Sequence, residues 1–399
     1  MTFKVGLVGC GDIAGWTYLP GTLALRGTVD IVATCDVVEE RARAAAEEYG
    51  APGCRVHTGL ERLLADPDVE GVEVLTPWTL HYEMCLAALQ AGKHVYVQKP
   101  MCQTLAQADR LVEEAERRGV LLMAAPPSAV DPIVQRIGLL VRDGVIGKVA
   151  LVAARSSHSG ATGRGRLTDS QWFFMREAGP WTSLVDMGVY GLHTVTAILG
   201  PARRVTAFSG IAYGRRTFFS PERPEPREVD VTAHDNGVVM LDWGEGTVGT
   251  VDGGFTVVQP EGPALVIHGS RGVISQHKGT GTFRLYRRDG DGAYPQGWSE
   301  LDASGAMLGE GAPRPGGRAR GPRVVEGGRP VSGQLQGPAP DIAHWAECVA
   351  GRAEPILSGA HARHVVEIME KAALSSAEGR ALELTSAFPD VIQAPRAVV

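Results

Sequence analysis

The sequence is poor in cysteine and has no apolar run long enough to cross a membrane. Six cysteines are scattered over 399 residues, with no CxxC pair and no spacing typical of metal ligands. This usage argues against a disulfide framework or a zinc site and favours reduced thiols in the cytosol. The opening residues run into a strand without an apolar signal region. We therefore expect a cytoplasmic protein that makes no contact with membranes.

The sequence also lacks a surplus of positive charge. The chain has 39 Lys and Arg against 45 Asp and Glu, which gives a net charge of −6. A protein that binds nucleic acid through its charge carries a basic surplus, so no nucleic-acid partner is expected. The apolar content of 44% is that of an ordinary globular protein. The length predicts two domains.

A glycine-rich turn follows the first predicted strand, Phe3 to Val8. It has the pattern G-x-G-x-x-A and leads into a helix. Gly9 permits the tight turn, Gly11 lets the backbone approach a pyrophosphate, and Ala14 lets helix and strand pack closely. The N–H groups at the helix start then face the phosphates. The candidate cofactor contacts of this turn are Gly9, Gly11, Asp12 and Ile13.

The second predicted strand, Val29 to Cys35, ends in an acidic residue, Asp36. It lies about 20 residues past the glycine motif, as a dinucleotide-binding fingerprint requires. Asp36 can accept both hydrogen bonds of an adenosine ribose diol and would repel a 2′-phosphate. No arginine follows at positions 37 or 38 to bind that phosphate. The two features together predict a site for NAD in preference to NADP.

Strands and helices continue to alternate up to residue 125, which predicts a doubly wound parallel sheet, a Rossmann domain over residues 1–125. Thr76-Pro77 and Lys99-Pro100 each end a strand of this domain. Both prolines should therefore lie at the edge of the sheet where the cofactor binds. His81, near the start of the next helix, is expected either to border the nicotinamide ribose or to be a capping partner.

Lys99 follows the strand His94 to Val97 and is poorly placed for packing. The carboxyl ends of parallel strands are where ligands bind, and a cation there can take part in proton or hydride chemistry. Pro100 biases Lys99 towards extended backbone, so the lysine is presented on a stiff turn. We expect Lys99 to point into a cleft. The alternative is a surface lysine on a strand-to-helix loop.

From residue 126 the pattern changes to longer strands with short connections, typical of a mostly antiparallel sheet. We expect an α+β domain over residues 126–399 that binds substrate and pairs subunits. Residues 214–228 and 305–340 are rich in Pro, Arg, Glu or Gly and are predicted to be flexible loops. His361 and His364 have no convincing third ligand nearby, so no metal site is predicted.

A second polar constellation lies on a predicted helix of this domain. Asp186, Tyr190 and His193 fall at i, i+4 and i+7 and so share one helix face. Gly188 and Gly191 each cost roughly 1 kcal/mol relative to alanine. Something must therefore approach the helix closely. A neighbouring helix would be sufficient, but a ligand also explains the polar residues beside the glycines. An aromatic wall against the substrate is expected from Trp78, Trp172, Phe173, Phe174 and Trp181, with the alternative that Trp172 to Phe174 are core or a subunit contact. Arg164 and Arg166 are candidates for contact with a substrate anion.

Taken together, these motifs resemble the Gfo/Idh/MocA oxidoreductases. The resemblance rests on the glycine turn, Asp36, Thr76-Pro77, the run from Ala91 into Lys99-Pro100, and the Asp186-x-Gly188-x-Tyr190 segment. It implies a Rossmann domain followed by a domain on a large open sheet, which often forms dimers or tetramers. It also implies hydride transfer between a nicotinamide and a sugar, glycoside or cyclic polyol.

The chain departs from the family pattern at two positions. Gln98 stands where the family usually has glutamate, and Tyr190 stands where it often has histidine. A secondary alcohol that loses hydride must also lose its hydroxyl proton, so a base is needed. We expect Tyr190 to exchange that proton, Lys99 to favour the phenolate and bind the reacting oxygen, and Asp186 to hold Lys99 or a substrate hydroxyl. His193 is the rival base.

Two other functions remain open at this point. Relatives of this kind include enzymes that oxidise a sugar only transiently, so that a glycosidic bond is cleaved or a centre epimerised before the hydride returns. A protein with the fold and the cofactor but no chemistry is the third reading. The joint presence of Lys99, Asp186 and Tyr190 weighs against it, because binding alone does not need all three.

Overall fold

The computed structural model describes residues 2–159, 170–220, 223–277, 279–309, 325–326, 329–330 and 339–393. The chain forms two compact units. The first unit contains Met1–Val130 and Arg323–Val366, and the second contains Asp131–Pro322 and Glu367–Val399. The boundary near residue 130 is close to the predicted one at residue 125. The return of 323–366 to the first unit is not foreseen by the sequence.

The N-terminal part of the first unit alternates strands and helices. Strands β1 to β6 span Phe3–Val8, Val29–Cys35, Arg55–His57, Gly71–Val74, His94–Val97 and Leu122–Ala124. Helices α1 to α5 span Leu19–Leu23, Glu39–Tyr49, Leu60–Leu64, His81–Gln90 and Leu105–Arg118. All strand pairs are parallel, in the order β3-β2-β1-β4-β5-β6. This order confirms the predicted doubly wound sheet.

The second unit begins with α6 and is built on a long sheet. Its helices α6 and α7 span Pro132–Arg142 and Val189–Leu199. Strands β7 to β16 span Val149–Arg155, Arg204–Gly210, Arg215–Ser220, Arg223–Asp230, Asn236–Gly244, Thr247–Asp252, Leu265–Gly269, Gly272–Gln276, Thr282–Arg287 and Gly297–Asp302. The short strands β17 and β18 (Val325–Glu326 and Arg329–Pro330) and helix α8 (Pro340–Val349) follow within the first unit. The last elements are α9, Gly359–Glu378, and β19, Leu382–Glu383.

Nine of the described strands make the large sheet of the second unit, in the order β16-β15-β14-β13-β7-β12-β11-β8-β19. Only the β7–β12 pair is parallel among the described pairs of this sheet, and the others are antiparallel. The predicted mostly antiparallel sheet is therefore confirmed. Helix α7 packs on the sheet at β7 and β12.

The prediction of a flexible loop at residues 214–228 is wrong. Strands β9 and β10 form an antiparallel hairpin there. Phe218 and Val229 are buried with Phe174 and Phe255 in a shared apolar cluster. This burial stabilises a hairpin whose charged composition suggested a loop. Of the other predicted loop, 305–340, only residues 305–309, 325–326, 329–330 and 339–340 belong to the described part of the chain.

Helix α8 completes the first unit through apolar contacts with its sheet. The Trp345 ring packs edge-on against Phe3, with ring centroids 4.7 Å apart, and lies 6.0 Å from the ring of Tyr96. Gly71 makes room for this indole, because a Cβ at that position would lie 2.8 Å from it. Within the described residues, no helix combines the length and the apolar character that a membrane span requires.

Candidate functional site

The glycine turn lies between the carboxyl end of β1 and the first helical segment. Gly9 has a φ of +91° and donates its N–H to Cys35 O at 2.9 Å. A Cβ on Gly9 would lie 2.9 Å from the main chain at Leu75 and Thr76, so glycine is required by the packing of β1 against β4. A Cβ on Gly11 would meet no atom within 4 Å. The turn is therefore open at Gly11, where a pyrophosphate can approach the backbone.

Asp36 uses part of its carboxylate to fix this turn. Its Oδ2 accepts from Cys10 N at 2.8 Å, and its Oδ1 accepts from Val38 N at 2.9 Å. A carboxylate has about four acceptor positions, so two remain for a ribose diol. The neighbouring Val37 is 90% exposed and brings no positive charge. Asp36 and Val37 fit NAD, and neither side chain would neutralise a 2′-phosphate.

His81 connects the turn after β4 with the turn after β5. Its Nδ1 lies 2.6 Å from Pro100 O and its Nε2 lies 2.9 Å from Thr76 O. Burial lowers the pKa of His81, and the nearby Lys99 lowers it further. These main-chain contacts correspond to the partner role that the sequence left open beside a contact with the nicotinamide ribose. Thr76 and Lys99 are thereby held at the same edge of the sheet.

Gln98 and Lys99 follow directly after β5. Gln98 is buried, and its Oε1 accepts the Lys99 N–H at 2.7 Å. On the other side of the amide, Nε2 donates to the Tyr18 hydroxyl at 2.9 Å. Lys99 itself is partly exposed. The four carboxyl-end segments at Gly9, Asp36, Thr76 and Lys99 all follow parallel strands of one sheet, which is the position of ligands in such folds.

The polar helix of the second unit begins with an irregular turn. Leu184–Gly188 is a π-helical segment that contains Asp186, and α7 follows with Tyr190 and His193. A π-helical turn holds more residues than an α-helical one, so the predicted i, i+4 alignment of Asp186 with Tyr190 is altered. Asp186 and Tyr190 are half-buried, whereas His193 is only 3% exposed. π-Helical turns occur frequently at functional sites.

The two glycines of this helix pack against the sheet of their own unit. A Cβ on Gly191 would lie 2.6 Å from Ser156 Oγ and 2.7 Å from Val251 Cγ1. A Cβ on Gly188 would lie 2.4 Å from Leu184 Cδ1 and 3.3 Å from the Cα of Gly253. Close packing of helix on sheet thus explains both residues. The alternative of a ligand at these glycines is not needed.

Two of the predicted substrate contacts, Phe174 and Trp181, are core residues of the second unit. Phe174 belongs to the apolar cluster of the second unit, and Trp181 is buried with its Nε1 donating to Ser183 Oγ at 3.0 Å. Trp172 stacks on Phe173, with ring centroids 4.1 Å apart, and both rings are half-buried. Arg164 and Arg166 lie outside the described residues. Among the residues that the structure does describe, no group of three or more metal-ligating side chains is assembled.

Sequence reasoning missed a set of buried polar residues beneath the Lys99 turn. These are Tyr18, Glu73, Tyr96 and Asp341, all nearly or fully buried. Glu73 carries a usable signal, because it is the one charged residue inside the short apolar strand β4. Asp341 carries none, since 245 residues separate it from the Tyr96 hydroxyl that it binds.

Comparison with known proteins places the whole arrangement in a family. The model of an oxidoreductase family with an NAD-binding Rossmann fold matches residues 3–125. The model of the GFO/IDH/MocA C-terminal domain matches residues 134–275. The two matches together cover more than half of the chain.

Relatives and solved structures agree with these matches. The chain is 25% identical over 396 residues to D-apiose dehydrogenase of Paraburkholderia graminis, covering 96% of this chain and 90% of that protein. It is 30% identical over 198 residues to D-glucoside 3-dehydrogenase of Escherichia coli, covering 49% of this chain and 56% of that protein. A levoglucosan dehydrogenase in complex with NADH and levoglucosan has the same fold, with a TM-score of 0.76, 18% identity and coverage of 96% and 100%. With its glycine turn and Asp36 in place, the chain belongs to the Gfo/Idh/MocA family of NAD-binding oxidoreductases.

Proposed function

We propose that the protein is an NAD-dependent dehydrogenase that oxidises a secondary alcohol of a sugar, glycoside or cyclic polyol. One observation carries this proposal. The same edge of the parallel sheet holds Lys99, Thr76, the glycine turn and Asp36. A cation beside the nicotinamide end of a dinucleotide site has a role in chemistry and little role in packing. The names of the relatives, D-apiose and D-glucoside 3-dehydrogenases, support a carbohydrate as the substrate class.

The chain's own residues handle the proton and the oxygen of the alcohol. Bound NAD supplies the hydride acceptor. In the proposed mechanism the Tyr190 hydroxyl oxygen takes the hydroxyl proton of the substrate when the C–H bond breaks, and Tyr190 passes a proton to solvent. The Lys99 ammonium stabilises the negative charge that develops on the alcohol oxygen. Asp186 orients a neighbouring substrate hydroxyl. His193 remains the rival base.

The test combines a substrate panel with one variant. Wild-type protein with NAD is offered D-apiose, D-glucosides, levoglucosan and cyclic polyols, and the near-ultraviolet absorbance of NADH is followed. Lys99→Met is expected to lower kcat at least a hundredfold while it keeps NAD binding. Lys4→Met is the matched control, because Lys4 forms only an exposed ion pair with Asp68 at 3.4 Å.

Each result separates the proposed function from its rivals. Accumulation of NADH that depends on Lys99 supports a net dehydrogenase. Cleavage or epimerisation of a glycoside without accumulation of NADH would favour a transient internal redox cycle. Full turnover by Lys99→Met would contradict the role of the lysine.

We also propose that two copies of the chain pair through the open face of the large sheet. One face of the sheet carries α7, whereas the other exposes apolar side chains on adjacent strands: Leu151, Phe208, Val238, Met240 and Val248. Phe208 is in register with Val238, and Val248 with Leu151, so the exposed side chains form a continuous patch. Apolar patches of this kind on soluble proteins mark interaction surfaces.

We also propose that the protein works in the cytoplasm. The described residues include all six cysteines and contain no disulfide. This fits a reducing cytoplasm.

A further inference from the structure

A chain of hydrogen bonds runs through the interior of the first unit and ends at Lys99. The Lys99 N–H donates to Gln98 Oε1 at 2.7 Å, and Gln98 Nε2 donates to Tyr18 Oη at 2.9 Å. The Tyr18 hydroxyl lies 3.3 Å from Asp341 Oδ2 and 3.1 Å from the Tyr96 hydroxyl. Tyr96 donates to the same Asp341 oxygen. The chain therefore links helix α8 to the turn after β5.

Donor and acceptor chemistry gives this chain a single direction. The Lys99 N–H can only donate, so the oxygen of the Gln98 amide must face it and the NH₂ group must face Tyr18. Tyr18 accepts from that NH₂ group and has its own proton left to donate towards Asp341. Both Asp341 oxygens act as acceptors, because Oδ1 accepts from Ile342 N at 3.2 Å. The Asp341 carboxyl group is thus the terminal acceptor of the chain.

Burial makes the chain specific to these residue types. Tyr18, Tyr96 and Asp341 are all at most 3% exposed. Burial raises the pKa of Asp341, and the hydrogen bonds from Tyr96 and Tyr18 oppose this by favouring its charged form. A glutamate at position 98 would present a second carboxyl group to Tyr18 and would compete with Asp341 for its proton. Gln98 is therefore matched to an interior that already contains one acceptor carboxyl group.

We propose that Asp341, Tyr96 and Tyr18 are positioning residues for Lys99, which they hold in place through the oriented amide of Gln98. Through Tyr18, which ends the π-helical segment Ala14–Tyr18, the same chain joins the glycine turn to the Lys99 turn. The expected effect of these residues on turnover rests on the proposed function, whereas the restraint on the Lys99 main chain is independent of it.

Amide hydrogen exchange tests the restraint without any substrate. The sequence contains six lysines, so labelling with [15N]lysine gives a small set of amide signals, and loss of one signal in Lys99→Arg assigns that of Lys99. In Tyr18→Phe, exchange at Lys99 is expected to rise at least tenfold. Lys4 and Lys93 serve as internal references in the same unit, because their N–H groups donate to Glu70 Oε2 and to Ala88 O. Tyr49→Phe, at the far end of α2, is the matched control.

A second variant keeps the test decisive if Tyr18→Phe does not fold. Gln98→Met has nearly the same shape but lacks both hydrogen bonds of the amide, and it must raise exchange at Lys99 in the same way. Unchanged protection of Lys99 in a folded variant of either kind overturns the proposal.

Kinetics separate positioning from a general structural role. Tyr18→Phe is expected to lower kcat at least fivefold with KM for NAD within twofold of wild type. In a Gln98→Met background the same change should have no further effect, because its route to Lys99 is already broken. An equal loss in both backgrounds would mean that Tyr18 acts independently of Gln98 and would overturn the proposal. Full turnover by Lys99→Met would refute only the catalytic role of Lys99, because the exchange result does not depend on that role.

Discussion

Glu73 on β4 lies in register with Tyr96 on β5, and neither side chain is exposed at all. Neighbouring residues of adjacent strands point to the same face of a sheet, so this carboxyl group lies beside the phenol that donates to Asp341. The two Glu73 carboxyl oxygens have no hydrogen-bond partner in the described structure. Burial, and secondarily the charge of Asp341, raises the pKa of Glu73 to about 8. Glu73 is therefore mostly protonated at neutral pH.

The first prediction concerns stability against pH. A carboxyl group whose pKa is raised on folding stabilises the folded protein at pH values below its ordinary pKa of 4.5. This contribution is lost as the pH rises from 4.5 towards about 8. Each pKa unit corresponds to about 1.4 kcal/mol. In Glu73→Gln this pH-dependent loss should disappear, so the variant gains on wild type by several kcal/mol between pH 4.5 and 8. Urea unfolding at a series of pH values measures the difference.

The control for that experiment is Glu116→Gln on α5, where the carboxyl group is exposed. Its free energy of unfolding should follow that of wild type at every pH. Parallel curves for Glu73→Gln and wild type would mean that Glu73 does not hold a proton in the folded protein.

The second prediction concerns the choice of coenzyme. The Asp36 carboxylate holds the glycine turn and has acceptor capacity left for a ribose diol. Asp36→Ser combined with Val37→Arg should lower kcat/KM with NAD at least tenfold and raise it with NADP, because the repelling charge is replaced by an attracting one. Val37→Arg alone is the control and should leave NAD preferred. A wild-type enzyme that used both coenzymes equally would contradict the assignment.

The third prediction distinguishes the two candidate bases. Tyr190→Phe removes only the hydroxyl group and should lower kcat by 10²- to 10⁴-fold, the usual contribution of a positioned acid or base. His193→Gln should change kcat by less than tenfold, since the imidazole is buried in α7. The rate of NADH formation under substrate saturation decides between them. The reverse ranking of the two variants would assign the proton transfer to His193.

The fourth prediction concerns assembly. Phe208 on β8 is 83% exposed, the largest exposed fraction among the side chains of the apolar patch on the large sheet. Phe208→Glu should shift the protein from dimer or tetramer towards monomer, because a charge there would be buried without a partner at the proposed interface. Light scattering after size-exclusion chromatography measures the mass. His277→Glu, an exposed position outside the patch, should leave the mass unchanged. A wild-type monomer would rule the interface out.

Local pattern was sufficient to predict the sheet of the first unit. Its strands are short apolar runs bounded by Gly, Pro or charged residues, and each lies close in sequence to the helix that covers it. The prediction failed for β3 and α3, which span three and five residues and are too short for a periodic signal. The hairpin of β9 and β10 was missed for another reason, because Phe218 packs on Phe174, which is distant in the sequence.

The candidate site was predictable where a residue type has one clear physical use. Gly9 and Asp36 carry such signals: Gly9 has a positive φ in the tight turn, and Asp36 accepts hydrogen bonds from the main chain of the same turn. The residues that support Lys99 were not predictable, because Asp341 reaches them only through the return of the chain to the first unit. At Gly188 and Gly191 a sequence signal was present, but its cause could not be identified from the sequence. A cost in helix propensity indicated a close neighbour, but it could not identify that neighbour as a strand of the same unit.

The return of residues 323–366 also bears on how the protein is made. Trp345 and Asp341 leave the ribosome after the whole of β7 to β16, although they complete the packing of Phe3 and Tyr96. Until then the nascent nucleotide-binding half exposes an apolar surface and two unshielded phenols, a state prone to aggregation. Truncation after residue 130 would make that immature state permanent, so a separately expressed half needs α8 grafted onto it.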